Sequence, residues 1–161
     1  MADDAIEKLI AQGLQAARSG GEVAKAATAD IERDASSPEL KAALQRGNET
    51  AARWQQRVEQ ALAETGASGS TNNPILEAHF DVSKRIRANA SDARSRDLGI
   101  IAAGQLALHY WIASFGTLRT YAASAELAQT RDDMQRCLDE AKAADSEHTE
   151  IALQMLQKTS A

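Results

Sequence analysis

"LALHYWIASFGTLRTYA", Leu106 to Ala122, decides the fold. With the preceding "DLGIIAAGQ" it forms one long apolar pattern. Leu98, Ile101, Gln105, Leu108, Ile112 and Phe115 step by three and four residues, a coiled-coil-like seam. A seam of this kind needs partner helices, and the rest of the chain supplies them.

The spacing predicts a first helix over about Asp3 to Asp34, with Ile6, Ile10, Leu14, Ala17 and Ile31 on its stripe. "SGG" at Ser19 to Gly21 is its weak point. Two adjacent glycines cost about 1 kcal/mol each against alanine in a helix interior, so a kink or break is expected there. "SSPEL" is a start signal: Ser37 caps, Pro38 takes the first helical position and Glu39 complements the helix dipole. The second helix runs to about Glu64, with Leu40, Leu44, Gly47, Ala51, Trp54, Val58 and Ala61 on its stripe. "TGASGSTNN" is a polar linker. Asn73 and Pro74 repeat the start signal for a short helix to about Ala88. Ser91 is read as the next cap, and the central helix spans about Asp92 to Ala123. Thr130 with Asp133 resembles a capping box for the last helix, whose stripe is Met134, Cys137, Ala141, Ala144, His148, Ile151 and Met155. Four long amphipathic helices with short connections predict an all-α, antiparallel four-helix bundle, with one extra short helix between the second and third long helices. The 161 residues fit a single domain, 1–161.

Composition narrows the function. The net charge is −5 and no basic block is present, which argues against nucleic-acid binding through phosphate neutralisation. The single cysteine, Cys137, forms no internal disulfide and no thiolate cluster. "MADDAIEKLI" lacks a basic leader segment, and Leu98 to Tyr110, interrupted by Gly104, Gln105 and His109, reads as too short and polar for a membrane span. A cytoplasmic address and no membrane partner are expected. No nucleophile elbow, phosphate loop or dinucleotide fingerprint occurs.

The motifs "SSPELKAAL" and "HYxIAxxGTLR" (here His109 to Arg119), followed by "LDEAKAAD", resemble the YciE/YciF-type ferritin-like proteins over roughly Leu9 to Thr149. The resemblance implies a ferritin-like bundle, an association with bacterial stress responses, and a carboxylate-bridged dimetal centre. Two hard divalent ions there need oxygen-rich ligands from all four helices.

Carried over residue by residue, that ligand pattern fails. The family's "AEKQ" is "GGEV" here, with Gly21 in place of the acid. "ExHxxE" becomes Gln45, Gly47 and Thr50. "EHYEIA" becomes "LHYWIA", with Leu108 and Trp111. "EEKxxD" becomes "EAKAAD", where Ala141 replaces an acid while Glu140 and Asp145 survive. No catalytic residue, metal or cofactor is therefore assigned, and a degenerate, non-enzymatic relative is expected. A homodimer and an unidentified protein partner are its expected associations. Two alternatives stand beside this reading. One is a displaced metal site built from Glu140, Asp145 and His148. The other is a carrier of a small apolar ligand, in a cavity left by Gly21, Gly47, Ala51, Ala141 and Ala144. Trp111 is expected to fill the room left by Gly21 and Gly47. Trp54 and Trp111 are read as core anchors, with a dimer interface as the alternative. His109 is read as packed or hydrogen-bonded beside the core, and His79 as turned away from Glu77 and Asp81 on its helix.

Overall fold

The computed structural model describes residues 4–69 and 71–157. It consists of α1 (Asp4–Asp34), α2 (Pro38–Thr65), α3 (Pro74–Ala88), α4 (Ala93–Ser124) and α5 (Ala128–Gln157). The four long helices form an antiparallel ring in the order α1, α2, α5, α4. The short α3 wedges against α1 and α4. Cross-helix pairs show the directions. Arg18 binds Glu59 and Gln45 binds Glu32 between α1 and α2. Gln105 binds Thr149 and His109 meets Asp145 between α4 and α5. Residue numbers rise on one helix as they fall on its neighbour. The all-α bundle with an intervening short helix is thus the observed architecture.

The local start signals work as read at two helices. The Ser37 hydroxyl accepts from the Leu40 N–H, and Asn73 accepts from the Leu76 N–H, each with proline at the helix start. At α4 the cap is Asp92, not Ser91. Its carboxylate accepts from the Ser95 N–H while the Ser95 hydroxyl accepts from the Asp92 N–H, a reciprocal box. At α5 the helix begins at Ala128, ahead of the expected Thr130–Asp133 box. Thr130 is fully buried inside it. The cap comes from another helix: Glu64, near the end of α2, accepts from the N–H groups of Gln129 (3.2 Å) and Thr130 (2.6 Å) and from the Thr130 hydroxyl (2.6 Å).

Burial opposes ionisation of Glu64, but these three hydrogen bonds outweigh it and hold its carboxyl below the ordinary range. Because the folded value is depressed, the stabilisation is present above the ordinary glutamate pKa and is lost as pH falls through the lowered one. Glu64→Ala should therefore destabilise by about 1–2 kcal/mol at pH 7 in urea unfolding. The gap to wild type should close progressively under acid.

α1 runs unbroken through "SGG", so the break that the glycines made an option does not occur. The two glycines are used for close approach. A Cβ on Gly20 would lie 2.6–3.0 Å from Asn73, Leu76 and Trp111, and one on Gly21 would lie 2.3–2.6 Å from the Gln55 amide. Tertiary packing therefore overrides the poor helix propensity.

α4 as a whole, unlike the stretch Leu98 to Tyr110 alone, is long and apolar enough to cross a membrane; among the described residues it is the one helix that is. Here it packs against α1, α3 and α5. Only 28% of its apolar window is buried, so packing in the bundle accounts for part of that apolar character.

The core falls into two clusters. One contains Ile10, Leu14, Trp54, Val58, Trp111, Phe115, Met134, Cys137 and Ala141. The other contains Ile31, Leu40, Ala43, Ile100, Ile101 and Ile151. Phe80 of α3 packs against both.

Candidate functional site

Between these two clusters the bundle is hollow. A half-open cavity of about 360 Å³ is lined from all five helices, with Ile31, Ala43, Leu44 and Ile100 on one side and Trp54 and Trp111 on the other. Its volume falls at the lower end of small-molecule pockets, about 300–1,000 Å³. Gly47 explains the opening on α2: apart from its chain neighbours and the adjoining backbone of its own helix, no atom lies within 4 Å of where its Cβ would be.

Four of the seven positions where the expected metal ligands, six acids and a histidine, are replaced, Gly47, Thr50, Leu108 and Trp111, line this cavity. The other three are elsewhere. Gly21 is filled by Gln55, whose amide donates to the Arg18 carbonyl at 3.0 Å. Gln45 is on the outside and donates to Glu32. Ala141 is fully buried in the first core cluster. Of the five small residues expected to open a cavity, Gly47, Ala51 and Ala144 line this one, Gly21 lines only a separate space of about 20 Å³, and Ala141 lines neither. Trp111 packs on Gly20 rather than filling the space beside Gly21 and Gly47.

The two tryptophans are core residues, each 7% exposed. Trp111 stacks on Phe115 (5.2 Å, 18°), and Trp54 meets Phe115 edge-on (5.2 Å, 75°) and Trp111 at 6.0 Å. Such arrangements add about 0.5–1.5 kcal/mol per pair beyond area burial.

The surviving polar candidates do not converge. Glu140 borders the cavity, but its carboxylate is held by the Arg57 guanidinium (2.7 and 3.2 Å) and the Trp54 indole N–H (2.8 Å). Burial raises its pKa, and the bonds from Arg57 and Trp54 more than reverse that, so it stays ionised in the folded protein. Asp145 lies outside the cavity and faces His109, whose side chain is 66% exposed (Nε2–Oδ2 3.3 Å). His109 is thus a surface residue that hydrogen-bonds rather than packs beside the core. His148 lines the cavity, is 8% exposed, and donates from Nδ1 to the Ala144 carbonyl at 2.8 Å.

Glu147 also lines the cavity and is paired with Arg46. Among the described residues no three His, Cys, Asp or Glu side chains come together in a way that could hold a metal ion. A carboxylate-bridged pair of ions does not fit this donor set, because the two acids on the wall are already committed to arginines.

His79 is a cavity residue that the sequence pattern indicated only indirectly. Its offset from Glu77 and Asp81 turns it inward, onto the cavity wall beside Phe80. Burial lowers its pKa, only partly offset by a hydrogen bond to the Ala103 backbone, so the imidazole is neutral at pH 7.

Cys137 is fully buried, and burial pushes its thiol up to about 11 despite the nearby Arg57. A thiol with that pKa is almost wholly protonated at pH 8. Cys137 should thus resist a thiol reagent such as dithionitrobenzoate in the native state and react only at the rate of global unfolding. Immediate labelling without denaturant would contradict this placement.

Comparison with known proteins agrees with this architecture. No curated protein matches. Among solved structures, the Escherichia coli stress protein YciF superposes with a TM-score of 0.92 at 24% identity, covering 97% of this chain and 99% of that one. YcfI of Rhodopseudomonas palustris, described as a candidate structural protein, superposes with a TM-score of 0.85 at 22% identity, covering 89% of this chain and 92% of that one. The family model described as a domain of unknown function, DUF892, matches residues 5–161. The resemblance to YciE/YciF-type proteins is borne out, and the chain belongs to the DUF892 family.

Proposed function

We infer that this chain is a non-enzymatic, ferritin-like bundle in which a pocket for a small apolar molecule stands in place of a dimetal centre. The observation that carries this reading is a coincidence of position. The cavity is lined by Gly47, Thr50, Leu108 and Trp111, four of the places where the resemblance puts metal-binding residues. Thr50, Leu108 and Trp111 stand in place of acids and Gly47 in place of a histidine, and three of the four leave an apolar or absent side chain. An unpaired buried carboxylate is costly, while an apolar wall gains by meeting an apolar ligand. The description of YciF as a stress protein and of YcfI as structural supports a stress-related, structural role; a cytoplasmic homodimer is part of the proposal and rests on the sequence alone.

Two assays on one preparation test it. Protein expressed in iron- and manganese-supplemented medium, and purified without a His tag or chelator, should carry far less than one metal per chain by elemental mass spectrometry. The same protein should take up one naphthalene per chain, saturably, when titrated and followed by NMR. Two metals per chain would overturn the reading. So would a failure to take up naphthalene up to its solubility limit.

A further inference from the structure

We propose that the cavity selects a neutral aromatic alcohol, a phenol-type molecule whose hydroxyl donates to Nε2 of His148. The inference rests on the apolar-pocket reading and adds the chemistry of the polar head.

His148 and Ser83 are the buried polar groups on the wall; Ser83 already accepts from Arg87 and has its O–H left to donate, while His148 has a ring nitrogen that can accept. A carbonyl oxygen can only accept, so the bond to Ala144 fixes the proton on Nδ1. In the neutral ring Nε2 then carries a lone pair. The Nε2–Cδ2 edge lies against Gly104, 3.2 Å from where a Cβ would sit, and Gly104 itself lines the cavity. Among the described residues Nε2 has no hydrogen-bond partner. Glycine at 104 is what lets the imidazole lie so close to α4.

The other groups on the wall decide against an anion. Glu140 and Glu147 both border the cavity, and Arg46 is already paired with Glu147. A carboxylate ligand could only accept hydrogen bonds, would meet an accepting Nε2, and would sit near two carboxylates. A hydroxyl donates and carries no charge. The apolar part is selected by flat surfaces: Trp54, Trp111, Phe80 and the neutral His79 ring give stacking and edge contacts to a planar ring.

The test uses NMR on the full chain. Its two tryptophans line the cavity, so their two indole N–H signals report binding directly. Three probes share one ring system: naphthalene, 2-naphthol and 2-naphthoate. 2-Naphthol should bind about threefold to tenfold more tightly than naphthalene, the increment of one net hydrogen bond, and 2-naphthoate more weakly than either. His148→Phe should remove the preference for 2-naphthol while keeping naphthalene binding. In the wild-type protein, independently of any variant, the His148 Nε2 resonance should shift with 2-naphthol and stay in place with naphthalene.

Gly47→Leu projects into open space, so the fold tolerates it, and it should weaken all three probes by filling the mouth. Equal affinity for 2-naphthol and naphthalene, or an unmoved Nε2 signal, would overturn this proposal and leave the apolar pocket standing. Absence of naphthalene binding would overturn the pocket itself.

Discussion

Asp97→Ala is expected to lower the unfolding free energy by about 3 kcal/mol, read as a reduced urea midpoint with an unchanged slope. Asp97 is 2% exposed at the start of α4, and its two carboxylate oxygens accept from the backbone N–H groups of Ser36 and Ser37, both at 2.8 Å. Those donors belong to the turn between α1 and α2, next to the Ser37 cap. The same turn is held by Arg96, which donates to the Asp34 carbonyl, and by the nearly buried Arg87, which donates to the Asp34 carboxylate. Removing the carboxylate leaves two backbone donors facing a void that water enters poorly. Hydrogen bonds to a charged acceptor are worth about 1.5–3 kcal/mol each, and loss of the buried charge returns part of that.

Asp97→Asn should fall between, at about 2 kcal/mol, because one oxygen still accepts while the new amide N–H₂ faces a donor. For a chain of this length, the alanine variant should melt about 6–12 °C lower. An alanine variant within 0.5 kcal/mol of wild type would mean that the turn is held by Arg87 and Arg96 alone.

The Asp97 contact marks where sequence reading stops. The cap residues Ser37 and Asn73, each followed by proline, were legible because capping is settled within four residues. What lay across the bundle was not. Nothing near Thr130 announces that Glu64, 66 positions away, supplies the α5 cap. Nothing near "SGG" says that Leu76, Trp111 and Gln55 need the space. Local propensity opened the way to a break, and the packed helix continues through it.

The cavity was half legible. Small residues on the α2 and α5 stripes indicated room, but which of them face empty space depends on long side chains from other helices, such as Gln55 reaching the place beside Gly21. His79 shows the reverse. Its helical offset from two exposed acids already turned it inward, and only the position of α3 between α1 and α4 makes that a cavity wall.

Trp111→Glu puts back, at one position, the acid that the resemblance expects on α4, and it should be the most damaging single change. Truncating a buried tryptophan costs about 3–5 kcal/mol. Here it also removes the stack on Phe115 and the contact with Trp54. The new carboxylate would sit in that aromatic wall near Glu140, which Arg57 and Trp54 already occupy. Against a typical total stability of about 5–15 kcal/mol, a loss above 5 kcal/mol leaves much of the protein unfolded at pH 7.

Burial raises the folded pKa of the introduced acid above its unfolded value of about 4.3, so the native state binds more protons in between. Stability should therefore recover as pH falls below that raised value and fall again as pH rises. Circular dichroism melts between pH 5 and 8 read this directly. Trp111→Phe, which keeps an aromatic side chain and adds no charge, should stay folded across the range. Manganese or iron(II) at tenfold excess should not rescue Trp111→Glu, since Gly21, Gln45, Thr50, Leu108 and Ala141 offer no carboxylate and that of the nearby Glu140 is held by Arg57 and Trp54. Rescue by either metal, raising the melting temperature in proportion to bound ion, would show that the frame still assembles a metal site. The apolar pocket would then be a secondary feature of a metalloprotein one substitution away from its chemistry.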